Sequence, residues 1–396
     1  MTDAERFEAR VVISGIGQSA IGRRLHRDPL QLTADACLAA IADAGLDIGE
    51  IDGLSTYPGS ASAGPGFTGA GVRDMHDLLG LELAWCSGGI EVPGQLGAVV
   101  NAMLAVAGGI ADHVLCFRSI WEGTAQGSGG RVGYGAGAPQ VGGLMAWQLP
   151  FGATAAPLAG LLINARMSRY GLTREQLGAG PVNGRANAAL NPAAVYRDPI
   201  TLDDYLAARM ISTPLSLYDC DVPCDGATAF VISRRDHAPA LDHPAVNVEA
   251  VGCAHNDRFQ WESGDDITRI SSRWTADAMW ARTDLRPADV DVAELYDGFS
   301  VFTHCWLEDL GFCGVGDAGP FVEGGHRIAL DGALPLNTDG GQLSGGRLHG
   351  YGFLHEACVQ LRGEGSARQV AGDPEVAVVG VGAANSGTTA MLLTRG

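Results

Sequence analysis

The chain has 396 residues, 46% hydrophobic and 18% charged, with 57 glycines, about twice the usual share. Its 45 acidic residues outnumber 26 basic ones, every one of them arginine, and the formal net charge is −19. The absence of lysine excludes Schiff-base aldolases, lysine-anchored pyridoxal enzymes and P-loop NTPases, and the negative charge opposes nucleic-acid binding.

This length favours two domain-sized units. Met1–Arg10 is charged and lacks the apolar core of a signal peptide. Residues 11–17, Val-Val-Ile-Ser-Gly-Ile-Gly, read as a buried strand, and an amphipathic helix follows from Leu32. Gly15-Ile-Gly-Gln within that strand is only half of a dinucleotide fingerprint. An acidic turn and strand occupy 48–57. A glycine-rich loop at 86–97, a helix at about 95–107 and a strand at 113–118 complete the series. Residues 119–210 have no counterpart later in the chain and read as an insertion, with Gly127–Gly137 as loop or covering material.

The order then returns. A strand at 245–252 precedes a helix at 274–280, so that Thr33-Ala-Asp-Ala recurs as Thr275-Ala-Asp-Ala. A strand within 290–299, a glycine-rich loop at 339–352, a helix at 352–362 and a strand at 376–382 follow. The pattern is a duplicated unit, 1–240 and 241–396, too long in period for a solenoid, and its alternating strands and helices predict α/β layers with largely parallel sheets. Polar residues and prolines interrupt the apolar stretches 96–117 and 142–165, so neither is expected to span a membrane, and a cytoplasmic location is expected. The nine cysteines are scattered through apolar runs as free thiols, and Cys220-x3-Cys224 lacks the second pair that a zinc finger needs.

Two segments concentrate polar residues where chemistry is expected. In Glu294-Leu-Tyr-Asp-Gly-Phe-Ser300, Tyr296 and Asp297 stand at the C-terminal end of a predicted strand, where open parallel sheets bind ligands. Asn337–Glu356 is rich in glycine ahead of a helix. Its backbone can approach a ligand closely, and its amides can meet a developing oxyanion. His349 is either a proton carrier or a helix-start residue; His355 reads as structural. Neither a G-x-S-x-G elbow nor an HExxH spacing is present, so serine hydrolysis and zinc catalysis are not expected.

These halves, together with Tyr170-Gly-Leu-Thr-Arg-Glu-Gln-Leu, Pro214-Leu-Ser-Leu-Tyr-Asp-Cys, Cys224-Asp-Gly-Ala and the Asn337–Gly363 segment, resemble the thiolase superfamily in its sterol-carrier or lipid-transfer branch. The resemblance implies a five-layered α/β/α/β/α fold with mixed, mostly parallel sheets, and a homodimer. It also exposes departures. The family's nucleophilic cysteine falls near Val92-Pro93, with Cys86 about six residues too early. One catalytic histidine corresponds to Tyr296, another to Arg347, and the second cysteine falls in Val379–Asn385, which has none.

Such replacements are similar to the thiolase-like aldolases of steroid side-chain degradation. The resemblance implies retro-aldol cleavage of a β-hydroxyacyl-CoA, 17-hydroxy-20-carboxyl-CoA giving a 17-ketosteroid and propionyl-CoA. No cofactor is implied, and a complex with a small OB-fold, zinc-ribbon protein is. Tyr296 and Tyr351 are the catalytic candidates. Asp297, Arg347, His349, Gly346 and Gly350 are expected to bind substrate, with Arg347 easing phenolate formation and amides of 345–352 binding the thioester oxygen. A non-catalytic acyl-CoA or lipid binder, a residual thiolase using Cys86, and a scaffold for the OB-fold protein are the alternatives.

Overall fold

The structure is a computed structural model that describes residues 6–58, 66–89, 93–127, 149–152, 154–238, 242–255, 264–383 and 387–396, with 146 and 240 singly. In chain order the first strands are β1 (Val11–Gln18), β2 (Gly53–Thr56), β3 (Trp85–Gly88) and β4 (His113–Trp121). Helices α1 (Pro29–Asp43), α2 (Val72–Leu79) and α3 (Gly97–Ala107) alternate with them. After β4 come α4 (Glu122–Gly127), α5 (Ala155–Tyr170), α6 (Arg174–Leu190), α7 (Leu202–Ala207) and a hairpin, β5 (Met210–Ser212) with β6 (Leu215–Ser216). Strands β7 (Asp225–Arg234) and β8 (Val246–Gly252) lead to α8 (Ser272–Trp280), β9 (Val292–Leu295), α9 (Ser300–Asp309) and α10 (Ala318–Val322). The chain closes with α11 (Gly341–Ser344), α12 (Tyr351–Arg362), β10 (Val376–Val381) and β11 (Thr389–Arg395).

One nine-stranded sheet runs β3-β2-β4-β7-β1-β8-β11-β10-β9. β1 and β8 meet antiparallel over a short seam, Val12↔Asn247 and Ile13↔Val246. Outward from that seam each side repeats one order: first strand, last strand, then the earlier ones. β7 and β11 run against their neighbours, and β2 with β3 and β4, and β9 with β10, pair parallel. The place that β3 takes beside β2 is held beside β9 by a single parallel bridge, Ala293↔Leu336.

Three apolar clusters separate the layers. Ala36, Ile41, Leu54 and Phe117 join α1 and α2 to the outer face of the first side. Val99, Met103, Phe230, Leu354 and Val379 form the central cluster, in which α3 packs on β2, β4 and β7 while α12 touches strands of both sides. Met279, Phe302, Trp306 and Leu392 join α8 and α9 to the outer face of the second. The result is the helix, sheet, helix, sheet, helix stack implied by the resemblance.

The segment without a counterpart begins later than the composition suggests. β4 continues past 118 because its ladder with β7 holds to Trp121↔Asp225, and residues 122–224 connect the two strands. Its helix α6 packs on α9, α10 and α11, across the molecule from β4. Most of the glycine-rich stretch 127–137 lies outside the described residues, as do Val92 and Asn385. No helix of the described residues is long and apolar enough to cross a membrane.

Gly15 and Gly17 have a mechanical role. α1 lies so close to β1 that a Cβ on Gly15 would stand 2.1 Å from the Ala40 carbonyl oxygen, and one on Gly17 2.2 Å from that of Ala36. The half-fingerprint is therefore a helix-packing device, with Ala36 and Ala40 supplying the small partners. Gly17→Ala is expected to cost about 1–3 kcal/mol or more through overpacking, whereas Gly49→Ala, whose Cβ would meet nothing within 4 Å, should be near neutral. Thermal unfolding of both variants checks this; equal melting temperatures would show that α1 can retreat.

Candidate active site

The parallel strands of both sides deliver their C-terminal ends to one region, the position at which α/β sheets bind ligands. β2 leads into Tyr57, β4 carries Arg118 and leads into Glu122, and β9 leads into Tyr296 and Asp297. Tyr57 donates its hydroxyl to the His349 carbonyl at 2.7 Å, joining the first side to the loop before α12.

That loop is fixed from beneath. Asn337, at φ 50°, accepts from the Leu295 amide at 2.7 Å and donates to the Leu295 carbonyl at 2.9 Å, as a paired strand would. Asp297 accepts from the amide of Gln342 at 2.8 Å and more distantly from Leu343 at 3.5 Å, capping α11. Burial pushes its carboxyl up to about 8. A Cβ on Gly341 would stand 2.1 Å from Asp297 Oδ2, so this glycine is required for the cap. Asp297, expected to bind substrate, instead builds the loop.

The loop backbone is also engaged internally. The amides of Gly345 and Gly346 donate to Gly341 O, Arg347 to Val222 O, Leu348 to Gly346 O, His349 to Gln342 Oε1 and Tyr351 to Leu348 O. Six of the eight amides expected to meet the thioester oxygen are thus taken up by protein acceptors. Gly346 and Gly350 likewise face protein: a Cβ on Gly346 would meet Cys224 Sγ at 3.1 Å, and one on Gly350 would meet Gln95 Cβ at 2.9 Å. Their positive φ angles, 132° and 85°, serve tight packing rather than approach to a ligand.

Arg347 is held by two carboxylates. Its Nε and Nη2 donate to Glu122 Oε2 at 2.9 and 2.5 Å, and its Nη1 donates to Asp221 Oδ1 at 3.2 Å. Burial alone would raise the Glu122 carboxyl, but Arg347 and His349 bring it down to about 2. Asp221, dominated by burial, rises to about 6. Two carboxylates offset the Arg347 charge, and its field also reaches Tyr296.

His349 fits a ligand-binding role better. It is 7% exposed, sits at φ 50°, and neither ring nitrogen has a hydrogen-bond partner among the described residues. Its Nε2 lies 3.9 Å from Glu122 Oε2, and the Phe67 ring meets it edge-on at 4.7 Å. Burial lowers it to about 4, so the imidazole is neutral at pH 7 with one donor and one acceptor to offer. The Gln342 side-chain amide nitrogen is also without a partner.

The two tyrosines differ. Tyr296 is half-buried, stacks on Phe302 at 6.0 Å, and keeps its hydroxyl over Gly298, where a Cβ would come within 2.5 Å of it. Tyr351 is fully buried in the central cluster, 5.4 Å from Phe230 and 6.0 Å from Tyr57 between ring centroids. Its hydroxyl has no partner among the described residues, and burial holds it well above the ordinary phenol value. Both side chains pack on the central cluster.

Sequence reading missed Tyr57, Phe67, Arg118, Glu122, Asp221 and Gln342. The acidic flanks of Cys220 and Cys224 were the available signal for Asp221; nothing local marks Glu122, which meets Arg347 across 225 residues. Cys86, in edge strand β3, is exposed rather than set at a helix start. A cleft of about 750 Å³ lined by Arg6, Leu104, Val251 and Arg282 shares no residue with the cluster.

Arg347→Gln would leave Glu122 and Asp221 buried together without their cation, a loss of about 3–5 kcal/mol for a pair broken from one side. Glu122, depressed to about 2 in the native protein, contributes stability above its ordinary value of 4.5 that is lost as pH falls through 2. In the variant both carboxyls take up protons as the pH falls. The deficit in unfolding free energy is therefore expected to be largest near about pH 7 and to shrink toward about pH 4. Equal deficits in denaturant titrations at the two pH values would assign the loop's position to packing alone.

Comparison with known proteins places this geometry. A family pattern described as thiolase C-terminal domain-like matches residues 253–395. A steroid side-chain-cleaving aldolase of Thermomonospora curvata is 35% identical over 365 residues, covering 89% of this chain and 90% of the relative. A 17-hydroxy-3-oxo-4-pregnene-20-carboxyl-CoA lyase of Mycobacterium tuberculosis is 35% identical, covering 96% and 99%. A solved structure described as an Ltp2-ChsH2(DUF35) aldolase superposes with a TM-score of 0.84 at 32% identity over 98% of each chain. An acetyl-CoA acetyltransferase from Syntrophomonas wolfei, at 17% identity and a TM-score of 0.67, shares the fold. With such identity along nearly its whole length, the chain belongs to the thiolase-like family of steroid side-chain-cleaving aldolases.

Proposed function

We propose that this protein is a carbon–carbon lyase that cleaves a steroid 17-hydroxy-20-carboxyl-CoA by retro-aldol reaction, releasing a 17-ketosteroid and propionyl-CoA. The β-hydroxyl loses its proton to a base, the bond between the α and β carbons breaks, and its electron pair forms the thioester enolate. The α carbon then takes up a proton, so the reaction balances without a redox partner, and no cofactor is called for. The names of the two relatives support this substrate class.

The observation that carries the reading is Tyr296, an oxygen acid at the C-terminal end of β9, in a chain where eight of nine thiols are held toward the neutral form and Cys86 stands on an edge strand. Burial raises Cys37, Cys116, Cys220, Cys224, Cys253, Cys305, Cys313 and Cys358 toward the neutral thiol. Cys224 donates its thiol to the Arg347 carbonyl. Tyr351, held protonated by burial, is suited to donate and not to accept. The base role falls to Tyr296, with neutral His349 as proton carrier. A homodimer and a complex with a small OB-fold, zinc-ribbon protein belong to the same reading; the description of the solved aldolase names a DUF35 component.

Mass spectrometry of products, with and without the OB-fold protein, tests the proposal. A 17-ketosteroid plus propionyl-CoA is expected. Tyr296→Phe should lower kcat by about 10²–10⁴-fold, the usual worth of a positioned proton transfer, with little change in KM. Tyr351→Phe should also be slow if its hydroxyl donates. Tight binding of the CoA ester with intact substrate in every mixture would instead identify a non-catalytic binder.

A further inference from the structure

On β4, Val114 and Cys116 face the central helix layer, and the pleat carries Arg118 to the same face two residues on. The Arg118 side chain is 1% exposed. Its guanidinium carbon lies 4.9 Å from the centre of the Tyr57 ring and 4.7 Å from that of Phe67. Nη1 donates to the Ser119 carbonyl at 2.6 Å, but Nε and Nη2 have no partner among the described residues. Those two groups form one edge of the planar guanidinium, with their N–H bonds parallel, the geometry that receives anionic oxygen.

Other deeply buried arginines are accounted for by carboxylates. Arg166 pairs with Glu308, Arg362 with Asp43 at 2.7 Å, and Arg347 with Glu122 and Asp221. Among the described residues no ion pair holds Arg118. An uncompensated buried charge is costly, and two aromatic faces offset only part of that cost. The cation is moreover part of the site cluster: Tyr57 bonds the His349 carbonyl, Phe67 meets the His349 ring, and the charge of Arg118 is felt at both His349 and Tyr351.

Retro-aldol cleavage puts negative charge on one oxygen, that of the thioester as it becomes an enolate. The loop amides of 345–349 and 351 are engaged with protein, and Arg347 is doubly paired. We infer that Arg118 holds the thioester carbonyl oxygen through its free Nε/Nη2 edge and stabilises the enolate charge as the carbon–carbon bond breaks. The CoA phosphates are excluded as its ligand by burial, because that end of the substrate must reach solvent. This inference rests on the retro-aldol reading above.

The test compares wild type, Arg118→Gln and Arg118→Lys in three measurements: turnover, affinity for two uncleavable CoA ligands, and melting temperature. One ligand is the 17-deoxy thioester, a neutral ground-state analogue; the other carries a nitronate in place of the enolate. Arg118→Gln should lose about 10²–10³-fold in kcat, the usual worth of an oxyanion donor, and a similar factor in nitronate affinity. Its affinity for the deoxy thioester should stay within about 3-fold, with a near wild-type melting temperature, and Arg118→Lys should be intermediate. If the Gln variant does not fold, the Lys variant carries the same comparison. Unchanged turnover in a variant, or equal loss of both ligand affinities, overturns the role of Arg118 while wild-type cleavage leaves the retro-aldol reading standing. Absence of wild-type cleavage overturns that reading, and the two affinities then still decide Arg118 separately.

Discussion

The pairing of Arg347 with Glu122 and Asp221 is the interaction on which the site depends. It ties the loop before α12 to the end of β4 and to the segment entering β7, so that residues from 122, 221 and 347 share one small volume. One cation between two buried carboxylates leaves an excess negative charge. The proteins' usual response is visible in the carboxyls themselves, Glu122 drawn down to about 2 and Asp221 raised to about 6. Because the guanidinium is planar and contacts both acids, the arrangement constrains orientation as well as position. His349, two residues on, inherits that placement.

Below the loop a second buried acid array sets the height of β9. The Thr338 hydroxyl lies 2.8 Å from both Glu294 Oε1 and Glu356 Oε1, yet it has one hydrogen to give. Glu356 is held by Arg368 Nε and Nη2, both at 2.9 Å. Burial, and then the nearby Asp339 and Glu356 carboxylates, raise the Glu294 carboxyl well above its ordinary value.

The fold was largely legible because duplication repeats the chemistry as well as the pattern. Thr33 Oγ1 donates to Ser119 Oγ at 2.6 Å, and Thr275 Oγ1 lies 2.7 Å from Thr388 Oγ1, so the recurring Thr-Ala-Asp-Ala supplies a threonine contact from α1 to β4 on one side and from α8 to the residue before β11 on the other. Buried strands and small-faced helices report themselves through local composition. The single bridge at Leu336 does not: one residue carries no period, and Asn183 and Asn187 hold its carbonyl from α6, about 150 residues away. Of the candidate site, the sequence pointed to Tyr296, which follows β9, to Tyr351, which opens α12, and to His349 in the loop before it. Arg347, Gly346 and Gly350 were read as facing substrate because a sequence shows residue type and not partner. Their partners, Glu122, Cys224 and Gln95, come from other parts of the chain.

The remaining cluster gathers several buried polar atoms that lack partners among the described residues. In folded proteins nearly all buried donors and acceptors are paired, and an unpaired one costs about 1–3 kcal/mol. Here both nitrogens of His349, the Gln342 amide, the Tyr351 hydroxyl and one edge of Arg118 are buried without partners among the described residues, and they stand around one another. The loop backbone, by contrast, places six amides, those of residues 345–349 and 351, on protein acceptors. A ligand that supplies oxygen to these groups would recover their desolvation cost on binding, and most fully when one oxygen becomes anionic. The neutral His349 and protonated Tyr351 can move or donate a proton without creating a second buried charge. Such an arrangement favours a reaction whose intermediate is an enolate over one that needs a thiolate, which the buried cysteines would have to form against the same desolvation.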